Sequence, residues 1–420
     1  MSIESSAAFR AHRSLLICDL TQSYSSSAGG GISTYLREKR DYVLRSTPHR
    51  LLQIVPGPED RVIERGRHIF AQVRAGQVPG SPDYRFILRT GKVRALLARF
   101  RPDVIESLCP WLLPWSAVHH RRYFPQTALV AGYRTDFPNA HVYRVGAELF
   151  GETPARLLRD LAYRYAARLY REFDWVYTLS DDARARLAAL GIDRTSRLPL
   201  GVDAAVFTPE ARDPGYRASL GLPETGPLLI YAGRIDNEKR ADLLLAMFRR
   251  LPRELGASMV MVGDGKLRAK LIEESRGLPV VFPGFVQDRA GLARALASSD
   301  IYVSGMADET FGISVIEAQA CGLPVVGVAG GAMPDRVPSG LGLLGPPGDA
   351  AAMAANVATL WRGDHNAMGA RAREAATRDY CWQRTFSQLF DRIYPAAMRR
   401  AARRVRAGHY VAGQVLPAGT

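Results

Sequence analysis

The sequence predicts an α/β protein of two doubly wound, Rossmann-like domains facing a central cleft. Three observations predict it. Strand-length apolar runs alternate with helical patterns, which is the signature of parallel sheets covered on both faces. The alternation runs twice. A stretch rich in Pro, Gly and Asp at 198–213 separates the two rounds and reads as a linker. With 420 residues, 47% of them hydrophobic, the chain has apolar material for two cores.

In the first round the strand-like runs fall at 15–18, 51–55, 104–105, 128–131 and 175–179. In the second they fall at 228–232, 259–262, 280–282, 301–304 and 324–328. Helical patterns lie between them at 92–100, 154–173, 181–190, 241–251 and 290–298. The apolar stripe Trp382, Phe386, Leu389, Phe390 and Ile393 predicts a helix over 380–394 that needs a surface to cover it. An arginine cluster at 399–406 and a Gly/Pro-containing, frayed end follow. Ligands are expected at the carboxyl ends of the strands.

The composition excludes disordered and collagen-like chains. No run is long enough to span a membrane, and the first twenty residues do not read as a signal peptide. Cys18, Cys109, Cys321 and Cys381 are widely spaced, which argues against a zinc site and a disulfide scaffold and for a reducing cytosol. The formal charge is +15 and unevenly placed. Residues 1–200 carry 30 basic and 19 acidic side chains, residues 201–395 carry 21 and 22, and the tail adds five arginines. A basic half suits a nucleic acid, an anionic membrane or an anionic substrate. Only five of the 56 basic residues are lysine, so compositional drift towards arginine is an equal alternative.

Three segments carry chemistry. DETFGISVIEAQACGLP at 308–324 places Glu309 in a loop after a strand and Glu317 one turn into a helix. The loop carboxylate can accept from hydroxyls, and the helix start offers amides to phosphate. A lone helical glutamate such as Glu317 is ordinarily a solvated surface group. YAGRIDNEK at 231–239 puts Arg234 and Lys239 around a turn, where a fork and a point charge can hold a diphosphate. AGGGISTY at 28–35 is a glycine loop opening a helix, and Gly30 and Gly31 allow close backbone approach to a ligand. By itself such a loop is equally a flexible turn. MVGDG at 261–265 is another strand-to-turn element.

Together these segments resemble the retaining glycosyltransferases of family 4, which have the GT-B fold. Glu309 and Glu317 match that family's E-x7-E motif, with ETFG, EAQACGLPVV and Gly330-Gly331 around it. Gly233-Arg234 to Lys239 matches its GR-x4-K clamp, and LGVD at 200–203 matches its interdomain linker. The resemblance implies that Arg234 and Lys239 neutralise the leaving diphosphate of a nucleotide-sugar. It implies that Glu309 binds sugar hydroxyls, helped by the Phe311 and Gly312 amides, and that Glu317 holds the ribose. Gly233, Gly263, Val286 and Ile313 complete the donor side, while Gly30 and Gly31 approach the phosphates or the acceptor. It implies no metal, no other cofactor and no side-chain base. It also implies domains of 1–200 and 201–382, the first completed by a C-terminal helix over about 383–420.

AGYRTDFP at 131–138 resembles the YHTDFP segment of lipid-glycosylating members, with Arg134 in the histidine's place. Arginine's fork fits a carboxylate on the donor sugar's C6, which points to UDP-glucuronate. The other reading is that Arg134 reaches a phosphate or a structural carboxylate such as Asp136. The helix pattern at 154–173 interleaves arginines with leucines and tyrosines. It suits an anionic membrane surface or, equally, a core-packed helix with snorkelling arginines. The expectation is a peripheral enzyme on the cytoplasmic face of the inner membrane with a lipid headgroup acceptor. The alternative is a hexosyltransferase using GDP-mannose or UDP-glucose on a lipid or polysaccharide. A nucleic-acid partner is not expected, because no recognisable module for one is present.

Overall fold

The computed structural model describes residues 13–24, 31–78 and 81–408. They divide into two compact units, one of the described residues up to Leu198 together with those from Thr385 on, and one of Pro199–Arg384.

The first unit is built on an eight-stranded sheet. Its order is Thr195–Arg197, Trp175–Thr178, Ala128–Tyr133, Val104–Ser107, Leu16–Leu20, Arg50–Gly57, His68–Arg74 and Arg61–Arg65. All neighbours are parallel except the last pair. The central strands are buried along their whole length, covered on both faces, including the polar Asp19, Glu106 and Ser107 that they carry. The strand order reverses beside Leu16–Leu20, so a switch point lies at its carboxyl end. There the helix Gly31–Ser46 begins.

The second unit carries six parallel strands in the order Val280–Gly284, Ser258–Val262, Leu228–Ala232, Ile301–Val303, Val325–Val328 and Gly342–Gly345. Its switch point falls between Leu228–Ala232 and Ile301–Val303, with Leu229 opposite Ile301 and Ile230 opposite Tyr302. Side-chain caps start several helices: Asp288 accepts from Ala290 and Gly291, Asp349 from Ala351 and Ala352, and Asp364 from Ala367. The LGVD glycine is dictated by packing. A Cβ on Gly201 would lie 2.3 Å from the Trp382 nitrogen, and the Val202 amide donates to Tyr380 at 2.7 Å.

The C-terminal helix differs from its sequence-based expectation. It runs Trp382–Gln388, passes a wider π-helical turn Leu389–Ile393, and continues through Tyr394–Arg406. The arginine cluster is therefore helical. Tyr394, Ala397 and Ala401 are buried on one side while Arg399, Arg400, Arg403 and Arg406 are exposed and Arg404 is half-buried against Asp174, so the helix has an apolar side to pack as well as a charged one. Phe386 meets Tyr35 and Tyr42 with ring centroids 5.5 and 5.3 Å apart.

A polar cluster is sealed inside the first unit. Lys39, from the helix Gly31–Ser46, bonds Asp19 and lies 2.6 Å from Glu106; all three side chains are fully buried. Tyr35 and Tyr177 each donate to Glu106 at 2.7 Å, Tyr394 donates to its other oxygen, and Gln53 donates to Asp19 at 3.0 Å. Burial opposes the lysine's charge, but Asp19 and Glu106 outweigh it and hold Lys39 above its ordinary pKa.

Candidate active site

In the second unit, two loops leave adjacent strands at the switch point. One follows Leu228–Ala232 and carries Gly233, Arg234 and Lys239. The other follows Ile301–Val303 and carries Glu309, Phe311 and Gly312. The structure brings them together: Lys239 Nζ lies 2.9 Å from Glu309 Oε2. Glu309 Oε1 accepts from the amides of Gly312 at 3.1 Å and Phe311 at 3.4 Å. Burial pushes this carboxyl up, yet Lys239 and the two amides outweigh it and hold it below its ordinary range. The Phe311 and Gly312 amides are thus spent on Glu309, where a sugar contact was expected, because the left-handed turn at Gly312 (φ +77°) folds them back onto that side chain.

Arg234 is held by Asp236 and, at 2.6 Å, by Glu238. Asp236 also accepts from the Lys239 amide at 2.9 Å, which fixes the turn between the two cations. Arg240, next in line, sits at φ +53°, a strained conformation for a non-glycine residue directly after Lys239. Gly263, at φ +136°, lies under this loop. A Cβ there would come within 1.9 Å of the Gly233 carbonyl oxygen, so the two turns pack backbone to backbone. Val286 is half-buried in the segment after Val280–Gly284, and Ile313 opens the helix Ile313–Ala320.

Glu317, on that helix, is buried and 3.3 Å from Arg289. Burial pushes its pKa up to about 7 against the opposing pull of Arg289. Arg289 and Arg336 escape a reading of the sequence alone. Arg336 is 1% exposed, donates to the Phe311 carbonyl at 2.8 Å and lies over the Phe311 ring at 4.3 Å. It braces the Glu309 loop from beneath. The sequence offers only the Asp335-Arg336 pair in a mostly apolar stretch just after Gly330-Gly331.

In the first unit, Gly30 lies outside the described residues. Gly31 opens its helix exposed, with open space where a Cβ would be. Arg134 follows the carboxyl end of Ala128–Tyr133 and is only 9% exposed. Its guanidinium lies 4.5 Å over the Tyr35 ring, and Nη2 donates to the Gly31 carbonyl at 3.4 Å. Nη1 is buried without a hydrogen-bond partner among the described residues. Asp136 is not its partner. Tyr133, Asn139, Tyr163 and Arg186 already occupy that carboxylate, at 2.8, 2.7, 3.0 and 3.2 Å.

Residues 29–206 match the profile of Glycosyltransferase Family 4, and residues 226–363 that of Glycosyl transferases group 1. The chain is 31% identical over 280 residues to a GDP-mannose-dependent alpha-(1-6)-phosphatidylinositol dimannoside mannosyltransferase of Mycobacterium tuberculosis, covering 66% of this chain and 70% of the relative. This chain belongs to glycosyltransferase family 4. Over 379 residues the glycosyltransferase is also 30% identical to the sulfoquinovosyl transferase SQD2 of Arabidopsis thaliana, covering 87% of this chain and 69% of the relative. Its fold is GT-B. Sucrose-phosphate synthase from Thermosynechococcus elongatus superposes with a TM-score of 0.72 at 22% identity, over 91% of this chain and all of that one.

Among the described residues of the glycosyltransferase, no helix is long and apolar enough to cross a membrane. The helix Glu152–Arg171 divides its apolar residues between inside and outside. Tyr163, Tyr165 and Tyr170 turn inwards, to Asp136, to the Trp111 carbonyl and into the core. Leu157 and Leu161 stay exposed, as do Val145, Leu149 and Phe150 on the preceding helix Arg144–Phe150.

Proposed function

We propose that this glycosyltransferase moves a hexosyl group from a nucleotide-sugar to a lipid headgroup, with retention and without a metal. The observation that carries the reading is the Lys239–Glu309 pair at 2.9 Å, set where the strand order of the second unit reverses. In this reading Lys239 and Arg234 leave their carboxylates for the diphosphate and neutralise the charge that develops as the glycosidic bond breaks. Glu309, held ionised, accepts from sugar hydroxyls, and Glu317 accepts from the ribose. The start of the helix Ile313–Ala320 adds its dipole. The mycobacterial relative's name supports GDP-mannose as donor and a phosphatidylinositol-based acceptor. The exposed apolar side chains of 145–161, interspersed with Arg156 and Arg159, support a peripheral position on an anionic membrane surface.

A second donor reading is favoured by Arg134, whose buried Nη1 has no partner among the described residues. A donor with an anionic C6 group, UDP-glucuronate first, would supply one. A relative that transfers a sulfoquinovosyl group supports an anionic sugar in this family.

The test is a thermal-shift series with GDP-mannose, UDP-glucose, UDP-galactose and UDP-glucuronate, on the wild type and on Arg134→His. A ligand that binds only the folded state raises the melting temperature. The largest shift is expected with GDP-mannose. A largest shift with UDP-glucuronate that Arg134→His removes selects the second reading. No shift with any donor overturns both.

A further inference from the structure

The rim of the first sheet opposite Arg134 carries a basin of about 610 Å³. Its walls come from three places. Arg171 ends the helix Glu152–Arg171, Arg194 precedes the strand Thr195–Arg197, and Arg399, Arg400 and Arg403 lie on Tyr394–Arg406. Asp174 and Trp175, at the amino end of Trp175–Thr178, form the floor. A strand of four to six residues spans roughly 13–20 Å, so the basin is separated by a strand's length from the end of the sheet where Arg134 sits.

The basin's charge is not balanced. Its two carboxylates are taken: Glu172 pairs with Arg121 at 2.7 Å and Asp174 with Arg404. Among the described residues, Arg171 and Arg194 donate to the neutral carbonyls of Leu190 and Arg171. Arg399, Arg400 and Arg403 make no ion pair among the described residues, although all three face one cavity. An arginine run on a solvated helix normally spreads its charge into water. Here the guanidiniums of separate elements converge, and the crowding is felt. Burial first, and Arg400 second, hold Arg194 below its ordinary pKa; burial and then Arg404 do the same to Arg121.

We propose that this basin is a second anion site, which takes a ligand carrying two or more phosphate groups and fastens the C-terminal helix to the rim of the sheet. Arginine forks match phosphate oxygens in pairs. Arg399 and Arg403 are a helical turn apart, about 6 Å along the axis, and Arg171 and Arg194 stand on other elements. A single phosphate cannot span them, whereas linked phosphates can. The source is a free polyphosphate or a lipid headgroup with two phosphates. The site does not depend on which sugar or acceptor the enzyme uses.

The experiment uses the full chain carrying Arg234→Ala and Lys239→Ala, so that the diphosphate clamp does not contribute. Inorganic tripolyphosphate is titrated calorimetrically, and phosphatidylcholine vesicles with and without cardiolipin are co-sedimented. The variants are Arg399→Ala/Arg400→Ala/Arg403→Ala, Arg194→Gln on the opposite wall, and a charge-matched control, Arg61→Ala/Arg65→Ala/Arg99→Ala. Tripolyphosphate binding that weakens about tenfold or more in the triple variant, less in Arg194→Gln and not in the control, establishes the site with a soluble ligand. The same pattern confined to cardiolipin vesicles establishes it with a lipid ligand. Binding in neither assay, or equal weakening by the triple variant and the control, overturns it.

Discussion

Both units place a lysine against carboxylates near the central strands of a parallel sheet, yet the two arrangements behave as opposites. In the first, Lys39 sits between Asp19 and Glu106 at zero exposure, and three phenols and an amide fill the remaining positions. In the second, the side chains of Lys239 and Glu309 are 24% and 12% exposed, and the carboxylate's other partners are two backbone amides. A sealed, saturated network has nothing to exchange and acts as a fastener. A pair open to solvent can trade its partner for a ligand. Burial and saturation, rather than residue type, separate structure from chemistry here.

The largest effect that would break this comparison belongs to Lys39→Met, which strands two buried carboxylates. Unfolding in urea should show a loss of about 3–5 kcal/mol. An unchanged midpoint would mean the cluster is not the fastener described. Lys239→Met should instead leave the urea midpoint near that of the wild type, because the pair is partly exposed. It should lower kcat by about 10²–10³-fold, the cost of removing one electrostatic donor from a transition state. If it unfolds the protein as Lys39→Met does, the two lysines are alike and the contrast falls.

The smallest effect sharpens the picture through pH. Burial raises Glu317 from 4.5 to about 7 in the folded chain. Stability owed to the neutral carboxyl is complete below pH 4.5 and is lost as pH rises through 7. A hydroxyl-bearing ligand that needs the carboxylate gains over the same range. Ligand-free melting temperature should therefore fall, and donor affinity should rise severalfold, as pH goes from about 6 to 8. Glu317→Gln should flatten both curves, and a donor affinity that ignores pH would remove Glu317 from the ribose.

The central strands were legible because each contains a short apolar run, and the structure keeps 228–232 as read and moves the ends of the strands read at 15–18, 128–131 and 259–262 by one or two residues. The strands Arg61–Arg65, at the sheet edge, and His68–Arg74, beside it, were not, since their short apolar stretches are bounded by arginines, Glu64, His68 and Gln72. The periodic stripe alone ended the helix at 394, because the buried positions beyond it are only Pro395, Ala397 and Ala401, a weak stripe beside five charges. Within the site, Arg234, Lys239, Glu309 and Glu317 were legible as two linear motifs. Their partners were not. Arg289 reaches Glu317 across 28 positions, Arg336 reaches Phe311 across 25, and no local spacing announces either contact.

The fastening of Tyr394 to Glu106 also sets an order of assembly. The first unit needs residues from Thr385 onward, which a ribosome makes only after all of Pro199–Arg384. At about 5–20 residues per second that interval is on the order of ten to forty seconds. The second unit, later in the chain, can close on itself first. Throughout that wait the carboxylates of Asp19 and Glu106 have Lys39 available but not the phenol that comes last. A chain cut short before Tyr394 should therefore fail in its amino-terminal half while its other half folds.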